Sequence, residues 1–362
     1  MSWTRLLAIN VIVFLFLLVF IEIGLRFFWT AKQCFGSDSC DFSRLSSFQV
    51  RPNGFEDQNV GITQYHEILG YILTPGFNSL ITAPGWKNKS VTINQDGFRE
   101  NDNFISSGAY SILAVGDSFT FGAQVSNNET WPSCLERETG VSVANAGVFG
   151  YGAAQSLLRA KLEIQKQSFD TVILSVFLSD DFHRDRLSFR SGFPRPAVVS
   201  GANGLDWDQV PSIDSVGTKY NPATQSLVRS LADNSQLFSL IYSRLQSDLD
   251  VGNMTRTEVA LNAASVEGIM RFTLRQFSNL QVPQKILVIQ YAEMEITRQD
   301  TPQDFLRLRE NLYDEAAKLG IQIIDTSASL SESVRESDIM LWFGHHTPSG
   351  NKVVCEVIAQ SL

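Results

Sequence analysis

From about Ser107 to the carboxyl terminus, short apolar runs alternate with stretches of helical spacing. Ile112 to Val115 is the first run, followed by a helical stretch around Thr130 to Glu138. Val141 to Asn145 reads as a second strand and Ala153 to Gln167 as a second helix. Thr171 to Phe177 (TVILSVF) is an apolar run with β-branched residues, the pattern of a parallel strand buried on both faces. Later come the strand Lys285 to Tyr291, a helix around Asp304 to Leu319, the strand Ile321 to Ile324 and a closing helix over Val353 to Leu362. Such alternation predicts right-handed βαβ crossovers and a three-layer α/β domain.

The alternation fails in two places. From Ala31 to about Ser107 the chain is polar and punctuated by Gly and Pro. Leu69 to Leu73 and Val91 to Asn94 read there as short extended runs. Between Arg184 and Pro283, Ser191 to Asn221 is a Pro- and Gly-rich loop, while Gln225 to Leu249 and Thr257 to Phe277 have helical spacing. The expected organisation is therefore a linker and accessory segment over residues 30–107 and an α/β domain over 108–362, with an insertion at about 184–283. That insertion can be a substrate-selecting wall or inert decoration.

The amino terminus is different in kind. After a flank of residues 1–5, Leu6 to Phe28 is nearly all apolar and long enough to cross a bilayer as a helix. Asn10 and Glu22 interrupt it near its ends, and Glu22 lies four residues before Arg26, where the two can pair. No small-residue cleavage site follows, so residues 6–29 are expected to be an uncleaved single-pass anchor whose partner is the lipid bilayer. Arg5 on one side and Arg26 and Lys32 on the other give no clear charge bias for orientation. Cys34 and Cys40 bracket a short polar loop and read as a disulfide, which points to a periplasmic or extracellular body.

Charge narrows the partners. The 362-residue chain carries a formal net charge of -9 without a basic run after its amino terminus, which argues against nucleic acid. Asp181, His183 and Asp185 follow the third strand, but no second ligand cluster supports a metal, and no cofactor is implied.

The candidate chemistry lies in Tyr110 to Gly122, YSILAVGDSFTFG. An apolar strand ends in Gly116-Asp117-Ser118 and passes into a helix-compatible segment, which holds a hydroxyl at the carboxyl edge of a sheet, where open α/β sheets place ligands. Such a serine becomes a nucleophile if a base reaches it. Of the four histidines, His345 and His346 sit just before the last helix, in a loop that can return to the same edge.

These blocks together resemble the SGNH/GDSL hydrolase family, in its membrane-anchored bacterial branch. The first is Gly116-Asp117-Ser118-Phe119-Thr120-Phe121-Gly122 and the second is Asn145-Ala146-Gly147-Val148-Phe149-Gly150-Tyr151-Gly152 with Gln155. The third is Leu178-Ser179-Asp180-Asp181-Phe182, and the last is His345-His346-Thr347-Pro348-Ser349-Gly350. Upstream, Leu69-Gly70-Tyr71 and Ile93-Asn94-Gln95-Asp96-Gly97-Phe98-Arg99 also fit. All stand in family order, from roughly Gly70 to the end.

The resemblance implies a flavodoxin-like parallel sheet and an acyl-ester reaction. Ser118 would attack the carbonyl and His345, rather than His346, would take its proton. The Ser118 and Gly150 N–H groups and the residue at position 180 would form the oxyanion hole. In a flavodoxin-like order the helices carrying Cys134 and Cys355 share one face of the sheet, so these two cysteines can bond.

Two positions depart from the family pattern. Asp180 replaces an asparagine, and an ionised carboxylate only accepts hydrogen bonds. The places where the family's acid precedes its histidine hold Trp342 and Phe343, leaving Asp338 as the nearest upstream carboxylate. The expected function is a membrane-anchored esterase acting on O-acyl bonds of an extracytoplasmic carbohydrate or lipid. An O-acyltransferase of the same fold is the first alternative. The second is a catalytically weakened glycan-binding module, for which Trp342 and Phe343 would form a stacking surface.

Overall fold

The computed structural model describes residues 62–83, 86–102, 109–190, 193–210, 257–298, 301–336 and 340–362, with residues 10, 14 and 16–24 near the amino terminus. The chain divides into two compact units, residues 1–54 with 217–256, and residues 55–216 with 257–362. In the first, residues 16–24 are helical. Among the described residues no helix is long and apolar enough to cross a membrane, and most of the expected anchor falls outside them. So do Cys34, Cys40, Asp338 and the expected helix Gln225 to Leu249.

The second unit is built on five parallel strands: β1 (Ile112–Val115), β2 (Val143–Asn145), β3 (Thr171–Phe177), β4 (Gln284–Gln290) and β5 (Gln322–Asp325). Their spatial order is β2-β1-β3-β4-β5, all pairs parallel. This is the flavodoxin-like doubly wound order, with its switch point between β1 and β3. β3 runs apolar almost throughout because helices cover both faces of the sheet, and its first six residues are buried.

The helices around the sheet include α1 (Ser118–Phe121), α2 (Trp131–Thr139), α3 (Ala153–Lys166), α4 (Asp181–Arg184), α5 (Val266–Ser278), α6 (Gln303–Lys318), α7 (Ser327–Glu336) and α8 (Pro348–Ala359), with a shorter turn of helix over Glu293–Thr297. α2 packs on α8 and α8 on α7, while α3 packs on α5 and α5 on α6, giving two helical groups. Cys134 of α2 and Cys355 of α8 form a disulfide with their Cα atoms 6.0 Å apart, as expected for two helices on one face.

Three elements differ from their expected form. α8 begins at Pro348 rather than Val353, because Thr347 caps it by accepting from the Gly350 N–H and Pro348 suits a first turn. Part of the expected loop after Ser191 is a hairpin, Val198–Gly201 with Gly204–Trp207, closed through Ala202-Asn203 between two glycines. The helix expected over Thr257 to Phe277 starts only at Val266, where Ser265 accepts from the Gly268 N–H, and Glu258–Val259 is extended instead.

The described part of the accessory segment, from Ile62 onward, belongs to this unit. Thr63–His66 pairs with Gly70–Leu73, and Asn78–Ala83 with Trp86–Thr92. Arg99 then bridges to Asn145, covering the free edge of β2. A second apolar core joins this segment to the domain, uniting Ile62, Leu69, Tyr71, Leu73, Val91 and Ile93 with Phe121, Val148 and Tyr151.

Candidate active site

Strand β1 ends at Val115, and the chain turns so tightly at Gly116 that a Cβ there would lie 2.2 Å from Thr120 Oγ1 and 2.7 Å from the Ser175 carbonyl. Asp117 caps α1, its Oδ1 accepting the Phe119 N–H at 2.9 Å. Ser118 is therefore the first residue of the helix, where its N–H has no intrahelical partner and the helix dipole favours negative charge. At the other end, the buried Arg99 donates to the carbonyls of Phe121 (2.7 Å), Gly122 (2.5 Å) and Val125 (2.6 Å). One side chain of the accessory segment thus fixes a helix of only four residues. Burial pulls the Arg99 guanidinium down to about 9, against the opposing pull of Asp102 and Glu129, so it stays charged at neutral pH.

His345 Nε2 lies 2.8 Å from Ser118 Oγ. The two-residue ladder Trp342–Phe343 with His345–His346 delivers it, turning at Gly344 with φ +82°. The His345 N–H donates to Gln124 Oε1 at 3.1 Å, and Gln124 itself adopts φ +70°. Burial lowers the His345 pKa; Asp117 opposes this and Arg184 adds to it, so the imidazole is neutral and able to accept a proton near pH 7. His346 is turned away: its Nε2 contacts the Tyr291 carbonyl at 3.2 Å and its ring packs against Phe119.

Arg184 organises the acidic residues. Its Nη1 donates to Asp117 Oδ2 at 2.9 Å and Asp181 Oδ1 at 2.8 Å, and its Nε donates to Asp180 Oδ2 at 2.7 Å. Arg190 approaches Asp180 at 3.5 Å. Burial pushes the Asp180 pKa up, but Arg184 and Arg190 outweigh it and hold the carboxyl below the usual carboxylate range. Asp180 is thus an ionised acceptor with no proton to donate. Asp181 is driven the other way, first by complete burial and then by the nearby Asp117. Ser118 Oγ is 3.5 Å from Asp117 Oδ2, a marginal contact, and Asp117 serves as the helix cap and the Arg184 partner.

Gly150 stands at φ +65° in the loop after β2. That loop packs directly on α1, since a Cβ on Gly147 would come within 2.2 Å of the Phe121 nitrogen. Arg184 Nη1 also reaches the Tyr151 carbonyl at 3.1 Å, linking this loop to Asp117 beside Ser118. Trp342 does not form a stacking surface: it is 5 % exposed, with its Nε1 donating to the Tyr291 carbonyl at 2.9 Å. Phe343 is the exposed aromatic, at 60 %, and pairs across the ladder with His345. Among the described residues no group of His, Cys, Asp or Glu is arranged to hold a metal.

Arg99, Gln124 and Arg184 were given no role by the sequence. Arg184 had a signal, since it follows Asp181 by three residues and Asp180 by four, a spacing that one helical turn brings together. Gln124 had none.

The strand order and the serine–histidine pair at its switch point define an α/β protein of the doubly wound class with a candidate hydrolytic site. No protein-family model and no curated protein sequence matches the chain. Several solved structures resemble it. A member of the lipolytic protein G-D-S-L family from Veillonella parvula is 12% identical with a TM-score of 0.39, the match covering 70% of this chain and 97% of that one. Axe2, an acetylxylan esterase from Geobacillus stearothermophilus, is 13% identical with a TM-score of 0.37, over 70% of this chain and 94% of that one. LAE5, an alpha/beta hydrolase from the metagenome of Lake Arreo, is 12% identical with a TM-score of 0.40, over 71% and 96%.

Proposed function

We propose that this chain is a serine esterase of the SGNH/GDSL type. The observation that carries this reading is the 2.8 Å approach of His345 Nε2 to Ser118 Oγ at the switch point of the sheet. Ser118 Oγ attacks the ester carbonyl carbon while its proton passes to His345 Nε2. The tetrahedral oxyanion forms beside the amino end of α1 and collapses as the leaving alcohol takes the proton from His345. Water then attacks the acyl-enzyme, His345 again accepts a proton, and the acid leaves as Ser118 is reprotonated. Two backbone donors, on Ser118 and Gly150, hold the oxyanion. A third donor is typically worth about a hundred- to a thousand-fold, so this enzyme is expected to be slow.

The substrate class is an O-acyl ester on a carbohydrate or lipid outside the cytoplasm, reached by a protein tethered through residues 6–29. Two observations support the tether and the compartment. Phe16, Leu17, Val19, Phe20, Ile21 and Ile23 are all exposed on one helical stretch, a surface that lipid would cover. The Cys134–Cys355 disulfide suits an oxidising compartment. Transfer to an alcohol instead of water uses the same first half-reaction. The binding-module reading rests on Asp180, held ionised where a donor would serve catalysis.

The test is hydrolysis of p-nitrophenyl acetate by the full chain in detergent beside Ser118→Ala. Turnover lost in the variant supports the esterase. Equal rates for the two folded proteins would remove it and leave the binding module.

A further inference from the structure

Tyr71 belongs to the accessory strand Gly70–Leu73 and is 5 % exposed. Its hydroxyl donates to the Phe149 carbonyl at 2.7 Å. In a trans peptide the carbonyl and the following N–H point in opposite directions, and no described peptide is cis. Fixing the Phe149 oxygen therefore fixes the direction of the Gly150 N–H. The next peptide is held too: Arg195 Nη1 donates to the Gly150 carbonyl at 2.6 Å, and its Nη2 to Gln155 Oε1 at 2.6 Å. Glycine at φ +65° gives a peptide that rotates easily, and these two bonds remove that freedom. The ring of Tyr71 meets Tyr151 at 5.1 Å and Phe193 at 4.6 Å between centroids, so packing needs the ring and leaves the hydroxyl for this one bond.

With Asp180 ion-paired and unable to donate, the oxyanion depends on two N–H groups alone, and the aim of each matters more. We propose that Tyr71 is a positioning residue for ester hydrolysis, its hydroxyl acting through the Phe149 carbonyl to aim the Gly150 N–H at the tetrahedral oxyanion. The proposal rests on the esterase reading of Ser118 and assigns the accessory segment a part in the reaction.

The experiment compares full-length wild type, Ser118→Ala, Tyr71→Phe and Phe193→Leu on p-nitrophenyl acetate, with Tm as a check on folding. Tyr71→Phe is expected to lower kcat about ten- to a hundred-fold. KM should stay within about twofold and the pH midpoint should not move, because neither ground-state binding nor His345 is altered. Phenylboronic acid, which turns tetrahedral and anionic on Ser118 Oγ, should lose affinity by a similar factor, an independent reading of the same geometry. Phe193→Leu loosens the ring contact but spares the hydroxyl, and should keep most of kcat. Wild-type kcat or boronate affinity in folded Tyr71→Phe would overturn the proposal with the esterase intact, as would an equal loss in Phe193→Leu. Wild type no faster than Ser118→Ala would instead remove the esterase reading, and the proposal with it.

Discussion

Ser118 and His345 stand 227 residues apart in the chain, yet Oγ and Nε2 are 2.8 Å apart in the fold. The contact joins the carboxyl end of β1 to a hairpin just before α8, and each partner is fixed by its own neighbours. Arg99 holds the carbonyls at the end of the serine's helix, and Gln124 holds the histidine's backbone. Arg184 ties the serine's turn to the loop after β2, through Asp117 and the Tyr151 carbonyl. Rate should therefore depend on residues that never touch substrate.

The pH–rate profile follows from the burial of His345. Its lowered pKa makes the neutral, proton-accepting form dominant already below pH 6.5. The kcat/KM for p-nitrophenyl acetate should rise with pH through a midpoint below 6.5 and then stay flat through neutrality. A midpoint above 7 would contradict this assignment.

Stability should share that dependence through His346, whose pKa burial brings down to about 3 from 6.5. A folded-state value below the unfolded one means the unfolded chain binds more protons between these limits. Stability is then complete above 6.5 and falls as pH drops toward 3, by up to a few kcal/mol. Asp185, pushed up to about 6 by burial, acts in the opposite sense. The readout is accordingly the difference between wild type and His346→Asn: Tm of the variant should fall less between pH 7 and pH 4 than Tm of the wild type.

On the esterase reading proposed above, Asp180→Asn should raise kcat severalfold, because it would remove a negative charge facing the oxyanion and add an amide donor. The cost in Tm should be small, since the Asp180 side chain is 37% exposed and its pairing is screened. A fall in kcat would mean that holding Arg184 against Asp117 matters more than donating to the oxyanion.

The Cys134–Cys355 bridge closes a sequence separation of 221 residues. Chain-entropy reasoning puts its contribution near its upper range, about 5 kcal/mol. Cys134→Ala with Cys355→Ala should lower Tm in non-reducing buffer, and dithiothreitol should bring the wild type toward the same value. Calorimetry of the two proteins with and without reductant checks this.

Much of the fold was legible because its signals are local. β3 announced itself by a run of buried apolar residues, and the closing helix by its spacing, though its true start needed the Thr347 cap. Gly-Asp-Ser at a strand end and paired histidines before the last helix marked the serine and base as candidates. The supporting residues were hidden because their partners are backbone carbonyls far away in the chain. Arg99 reaches Val125, Tyr71 reaches Phe149, and no periodicity encodes either bond. Trp342 and Phe343 looked alike in sequence, but strand alternation buries one and exposes the other.

The measurement closest to the central claim is reaction of the full chain with a fluorophosphonate, followed by peptide mass spectrometry. An activated serine should take the phosphonyl group on Ser118 alone, faster at pH 7 than at pH 5, with no adduct in Ser118→Ala and a much slower one in His345→Ala. A folded wild-type protein that stays unmodified, or an adduct that persists in Ser118→Ala, would contradict the account.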